Sequence, residues 1–155
     1  MTGDASFEDG QERPLNLGAF DVEDLRVLSA LCQDAVFPIS EKSWVPKSRM
    51  FVILVNRFRW EDARHKQHGP ERVRALLMVD HVLAVSSLGI DLSDSDLVLS
   101  VLSVDFEAGE DAAGHVLITL AGDGAIRLTV EALEVSLKDV TRPYKAPSGK
   151  VPSHN

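Results

Sequence analysis

Hydrophobic positions near the start of the chain recur at helical spacing. Leu25, Leu28 and Cys32 form one apolar stripe. Asp21 precedes this stripe, and its side chain is suited to accept a hydrogen bond from a free amide of the first helical turn. The pattern therefore predicts a helix that begins at Asp21 and packs its apolar stripe on a sheet.

After Ala35 the hydrophobic residues alternate with other residues, which is the spacing of strands. Residues 36–45 contain Pro38 and are followed by Pro46, so any strand there is expected at an edge, because proline cannot donate to a ladder. The last two predicted strands flank a Gly-Asp-Gly turn and form the clearest hairpin. The predicted strands beyond the first are residues 49–60, 73–85, 97–106, 116–120 and 126–130.

Residues 132–140 fit two structures, because the apolar phase shifts by one position after Val130. Leu133, Val135 and Leu137 alternate as in a strand that follows a bulge. Leu133, Leu137 and Val140 also fit a helical stripe. The pattern leaves both interpretations open.

These elements predict an α+β fold in which one or two helices cover a mostly antiparallel sheet. Such a sheet is expected to curl into a roll or partial barrel, because curling shields its apolar face from water. Residues 14–141 form the single predicted domain. Residues 1–13 are acidic and are expected to form a mobile tail, and residues 142–155 are expected to form a basic, proline-rich tail.

The overall charge argues against general nucleic-acid binding. The 155 residues include 16 Lys and Arg against 24 Asp and Glu, a net charge of −8, whereas phosphate neutralisation needs an excess of cations. No apolar run is long enough to span a bilayer, and residues 1–13 lack the pattern of a secretory signal. The single cysteine agrees with a reducing compartment. These features predict a cytoplasmic protein that does not bind membranes.

One segment has the opposite charge. Residues 57–74 contain six cations and three anions, so 6 − 3 gives a local charge of +3. The strand at 49–60 is expected to leave the core as it ends and to display Arg57 and Arg59 to solvent. Arg and Trp concentrate binding energy at interfaces, although these arginines could instead only cover the ring of Trp60. The candidate binding residues are Arg57, Arg59, Trp60, Arg64, Arg72 and Arg74.

The function favoured by this charge map is a non-catalytic interaction module. It would present the basic segment to an anionic protein surface or to another copy of the chain, so a homodimer is one expectation. The alternative is a small anionic-ligand-binding protein, with a pocket between Trp60, Arg57 and His81.

Catalytic, metal and cofactor chemistry finds little support in the sequence, so no cofactor or metal is expected. Walker and dinucleotide-binding loops and the G-x-S-x-G turn of serine hydrolases do not occur. His65 and His68 are three residues apart, a spacing that is only weak evidence for a metal site. Cys32 lies on the apolar stripe of the predicted helix and is expected to pack as a small hydrophobic residue.

The stretch Asn-Arg-Phe-Arg-Trp-Glu at residues 56–61 resembles a bacterial family known as domain of unknown function 2948. The resemblance extends to residues 15–35, 74–90 and 126–143. It implies no catalytic residue, ligand or cofactor, so function has to be argued from the chemistry of the chain itself.

Overall fold

The computed structural model describes residues 14–62, 70–145 and 152 of the chain. In these residues one α-helix, α1 (Val22–Cys32), accompanies eleven strands. The strands are β1 (Asn16–Ala19), β2 (Val36–Pro38), β3 (Lys42–Val45), β4 (Met50–Phe58), β5 (Glu71–Val79), β6 (Val82–Leu88), β7 (Val98–Ala108), β8 (Gly114–Leu120), β9 (Ala125–Val130), β10 (Val135–Asp139) and β11 (Tyr144–Lys145).

All strand pairs are antiparallel, and the sheet runs in the order β1-β10-β5-β4-β2-β7-β8-β9-β6. β3 pairs with β4, and β11 pairs with β5. Among the described strands, β1 and β6 lie at the two ends of this order, so the curled sheet is not closed. The predicted α+β class with a mostly antiparallel, curled sheet is confirmed. No described helix is long and apolar enough to cross a membrane.

The helix forms as the apolar stripe predicts. Asp21 caps it, and the Asp21 carboxylate accepts a hydrogen bond from the amide of Asp24 at 2.8 Å. Leu25, Leu28 and Cys32 are buried against the sheet. The hydroxyl of Ser29 accepts a hydrogen bond from the amide of Val104 in β7, at 2.8 Å, which joins the helix to that strand.

Two strand predictions are wrong in part. Within residues 36–45, β3 does lie at an edge, since it pairs only with β4 among the described strands, but β2 does not. β2 is an interior strand, because Val36 pairs with both β4 and β7, and Pro38 is tolerated there as the last residue of the strand. The predicted strand at 73–85 is divided at Asp80 and His81, where His81 adopts a positive φ of 60°. The strand that follows this turn, β6, pairs with β9.

The strand interpretation of residues 132–140 is the correct one. β10 runs antiparallel to both β1 and β5. Leu133 is buried ahead of the strand, and Val135 and Leu137 are buried within it. The shift in apolar phase therefore marks the entry of the chain into a new strand. β11 falls within the predicted C-terminal tail, while residues 1–13 lie outside the described part of the chain.

Candidate functional site

The β4–β5 ladder divides the candidate arginines between two faces of the sheet. Arg57 pairs with Val73, whereas Arg72 and Arg74 pair with Phe58 and Asn56. Paired residues of an antiparallel ladder share a face. We call the face that carries Arg57 and the buried Phe51, Ile53 and Val55 the inner face. The outer face carries Val52, Leu54 and Asn56 of β4 together with Arg72, Arg74, Leu76 and Met78 of β5.

Arg57 is fully buried on the inner face and is held by two carboxylates. Its Nε and Nη2 donate to Asp139 Oδ1 and Oδ2, each at 3.0 Å. Its Nη1 and Nη2 donate to Glu61 Oε1 and Oε2 at 2.9 and 2.7 Å. Burial favours the neutral guanidinium, but the bonds to Glu61 and Asp139 outweigh it and raise the pKa of Arg57. Burial likewise opposes ionisation of Glu61, yet Arg57 lowers the pKa of this carboxyl.

Arg59 is also buried, with 3% of its surface exposed. Its Nη1 donates to Glu71 Oε1 and lies 3.5 Å from Asp62 Oδ2. The expectation that Arg57 and Arg59 are displayed to solvent is therefore wrong. The physical reason is that the three acids counted in residues 57–74 are ion-pair partners of these two arginines, and Asp139 adds a fourth carboxylate. We refer to these two arginines and four acids as the buried ion cluster.

Trp60 joins the end of β4 to the end of the helix. Its Nε1 donates to the carbonyl oxygen of Gln33 at 2.8 Å. Its ring meets the ring of Phe58 edge to face, with 4.7 Å between centroids. These contacts give Trp60 a structural role in the described chain. The remaining candidate Arg64 lies outside the described residues, as do His65 and His68.

Within the described part of the chain, His81 cannot share one pocket with Arg57 and Trp60, because it lies far from both. Trp60 follows the end of β4 that pairs with Arg72, whereas His81 follows the opposite end of the ladder. The pairs Phe58–Arg72 and Phe51–Val79 are seven residues apart along β4, about 23 Å at the usual rise of a strand. The His81 Nε2 instead lies 2.8 Å from Glu134 Oε1.

Cys32 does not have the surroundings of a nucleophile. It is fully buried, and burial raises the pKa of its thiol to about 12, an effect that the nearby charge of Arg57 only partly offsets. The expected packing role of this residue agrees with its position in the core. In the described ranges, no group of three or more His, Cys, Asp or Glu residues has the arrangement of a metal site.

The outer face carries cations that differ from those of the buried ion cluster. Arg72 Nη1 donates to the backbone oxygen of Asn56 at 3.0 Å and to its side-chain oxygen at 3.3 Å, and partial burial lowers the pKa of Arg72. Arg74 is exposed, and so is Lys138 of β10, which lies on the same face beside Leu76. Among the described residues, no carboxylate lies within 4.0 Å of the charged group of Arg74 or Lys138.

A cleft of about 240 Å³ opens on this face beside Arg74. Its lining is mainly apolar, and Asn56, Arg74 and Glu41 supply the polar groups. Val98, at its rim, is 61% exposed. The lining consists of Val36, Pro38, Glu41, Leu54, Val55, Asn56, Arg74 and Val98.

The comparison with known families gives one result. A model described as protein of unknown function (DUF2948) matches residues 15–154. The chain belongs to this family. The resemblance found in the sequence is thus confirmed, while no curated protein and no solved structure matches the chain.

The six residues that first suggested DUF2948 make contacts within the chain. Arg57 and Glu61 pair with each other, and Phe58 and Trp60 stack edge to face. Asn56 donates from its Nδ2 to the hydroxyl of Tyr144. In this DUF2948 chain the stretch therefore fastens the end of β4 to its neighbours.

Sequence reasoning missed Lys138 and the apolar part of the outer face. A signal was present in β5, where Arg72, Arg74, Leu76 and Met78 alternate with the buried residues Val73, Ala75, Leu77 and Val79. Leucine and methionine at positions that face away from the core indicate a surface that is not simply hydrated.

Proposed function

We propose that this chain is a non-catalytic interaction module, which acts in the cytoplasm and binds an anionic protein surface through its outer face. The proposal keeps the class of function that the charge map suggested and moves the binding residues. Arg72, Arg74 and Lys138 take the place of Arg57 and Arg59. The observation that carries the proposal is a half-buried apolar row beside Arg74 and Lys138, two exposed cations without a carboxylate partner among the described residues.

The apolar row supports association with a protein. The solvated face of an antiparallel sheet is normally polar, yet Val52, Leu54, Leu76 and Met78 are all only half-buried on this one. Interfaces combine apolar contact with arginine and methionine, and methionine adapts to irregular partner surfaces. Burial of this row would supply affinity that charge alone does not.

The cations of the outer face favour a partner with negative charge. Arg74 and Lys138 are exposed, and Arg72 is oriented by Asn56. The whole chain is acidic, with a net charge of −8, so a partner with an acidic patch would be attracted mainly to this face. Complementary charge speeds association and fixes orientation, and the effect weakens as salt is added.

The cleft favours a partner's side chain over a free metabolite. Its volume of about 240 Å³ is below the roughly 300 to 1,000 Å³ of most small-molecule sites. An apolar side chain fits against Leu54 and Val98, while an adjacent carboxylate could reach Arg74. Glu41 at the rim would repel an acidic group of the partner that lies beside it rather than beside Arg74, so the partner would bind in one orientation.

The test uses a labelled peptide in which leucine and glutamate alternate, with binding followed by fluorescence anisotropy. We expect binding that weakens with added salt, and Arg74→Glu should weaken it at least about tenfold, a loss of about 1.4 kcal/mol. Arg26→Glu is the matched control, because Arg26 is exposed on the helix. Equal binding by both variants would contradict the proposal.

A second peptide tests the sign of the charge. The same sequence with lysine in place of glutamate should not bind. A small carboxylate that raises the melting temperature of the unaltered protein, but not that of Arg74→Glu, would replace the interaction module with a ligand-binding function.

A further inference from the structure

A different part of the sheet, the free edge of β6, presents backbone groups that another strand could use. Among the described strands, β6 pairs only with β9 and ends the strand order. In an antiparallel ladder, alternate residues direct their amide and carbonyl groups away from the partner strand. Apart from the β9 ladder, the one backbone hydrogen bond of β6 in the described chain runs from the amide of Val82 to the carbonyl of Arg49.

Beyond its first residues, β6 lacks the charged residues and proline that usually protect an edge. Its seven residues, Val-Leu-Ala-Val-Ser-Ser-Leu, include no charge and no proline, whereas charged residues, proline and short length normally prevent edge pairing. The other free edges are protected in these ways. β1 has only four residues, and β3 contains Lys42 and is followed by Pro46.

The one irregularity in β6 lies at its start. The register shifts between Val82 and Ala84, so Leu83 is the extra residue of a bulge. From Ala84 to Leu88 the pairing with β9 is regular, which leaves a five-residue stretch able to extend the sheet. Leu83 and Leu88, at or next to the ends of this stretch, are 48% and 62% exposed.

We propose that a second copy of the chain pairs antiparallel with β6, about a two-fold axis at Ser86. This register is the one that sets the whole regular stretch opposite itself. It places Ala84 opposite Leu88 of the partner subunit, and Val85 opposite the partner's Ser87. Such an interface is self-complementary, because each copy contributes the same strand.

The side chains suit this pairing on both faces. Val85 and Ser87 share a face with the buried Leu128 and Ile126, so pairing extends the core-facing side of the sheet. Ser86 lies on the opposite face, beside the exposed Arg127. With no charge in the stretch, no like-charged pair is brought together at the axis, and Leu83 and Leu88 add apolar contact.

The first test is the oligomeric state measured by analytical ultracentrifugation over a range of concentrations. We expect a reversible monomer–dimer equilibrium for the unaltered chain and a shift to monomer for Ser86→Lys, because two lysines would meet at the axis. Ser43→Lys on β3 is the control and should still dimerise. A monomer at every concentration, or a dimer that Ser86→Lys leaves unchanged, would overturn the proposal.

Cross-linking tests the register. Under mild oxidation Ser86→Cys should form a disulfide-linked dimer, since residues directly opposite in a pair bring their Cβ atoms close. Cys32 is fully buried and should not interfere. Ser43→Cys should remain monomeric on a non-reducing gel. Dimers in equal yield from both variants would contradict pairing at Ser86.

Pairing at β6 and peptide binding by the outer face can be tested separately. Ser86→Lys changes no residue of the outer face, so a folded monomeric variant should bind the acidic peptide as the unaltered chain does. Its melting temperature, followed by circular dichroism, should stay within a few degrees, because the Ser86 side chain is exposed.

Discussion

Two pairs of arginines on one hairpin have opposite environments. Arg57 and Arg59 lie at the end of β4 inside the buried ion cluster, while Arg72 and Arg74 lie at the start of β5 on the outer face. The strands are directly paired, so the difference arises from which face each residue occupies and where carboxylates lie. The count of charges in residues 57–74 is correct, but two of its six cations, Arg57 and Arg59, are neutralised within the fold.

The largest expected effect comes from opening the buried ion cluster. Asp139→Asn removes one of the two carboxylate charges that neutralise the fully buried guanidinium of Arg57. It also disturbs the hydrogen bond that the Asp139 carboxylate accepts from the amide of Leu15 at 2.8 Å. Breaking a buried ion pair costs about 3 to 5 kcal/mol, and we expect about 3 kcal/mol because Glu61 remains. Urea unfolding measures this loss.

Lys138→Ala is the control for that variant, since it changes the neighbouring residue on the outer face. Its stability should stay within about 0.5 kcal/mol of the unaltered chain. A loss below about 1 kcal/mol for Asp139→Asn would mean that the buried ion cluster contributes little to the free energy of unfolding. The charged residues of the two faces would then not differ in their contribution to stability.

A smaller effect should appear in the pH dependence of stability. The pKa of Glu61 in the folded protein lies below its ordinary value of 4.5. Its contribution is therefore present above that ordinary value and is lost as the pH falls through the lower, folded-state pKa. Glu61→Gln should be less stable at neutral pH, and its stability should fall less on acidification below about pH 4.5.

The surface ion pair of Arg49 and Glu131 provides the comparison. Its side chains are 55% and 46% exposed, and exposed pairs contribute little. Glu131→Gln should therefore reproduce the pH profile of the unaltered chain, measured as the unfolding free energy at a series of pH values. Parallel profiles for the Glu61 and Glu131 variants would count against a special role for Glu61.

The same contrast explains what the sequence could predict. The helix and the hairpin of β8 and β9 depend on local periodicity and turn residues, so both were predicted close to their observed positions. The burial of Arg57 depends on Asp139, which is 82 positions away. No local pattern joins these two residues, and a strand that ends in arginines therefore gave the wrong expectation of exposure.

Topology set the same limit elsewhere. Proline in β2 suggested an edge, but the sheet places β7 against that strand through a contact more than 60 residues distant in sequence, between Val36 and Ser100. The free edge of β6 was likewise hidden inside one long predicted strand, because the turn at His81 depends on a positive φ, which is uncommon for residues other than glycine. Element types were predictable, whereas their neighbours were not.

The smallest expected effect is the most informative for the outer face. Arg74 contributes its backbone amide and carbonyl to bonds with Thr141 and Val140, but its side chain is exposed. Arg74→Ala keeps the backbone bonds, so the free energy of unfolding in urea should change by less than about 0.5 kcal/mol. The acidic peptide should nevertheless bind more weakly. A loss of stability above about 1 kcal/mol would mean that Arg74 already has a partner within the chain, and the outer face would then not be available to another protein.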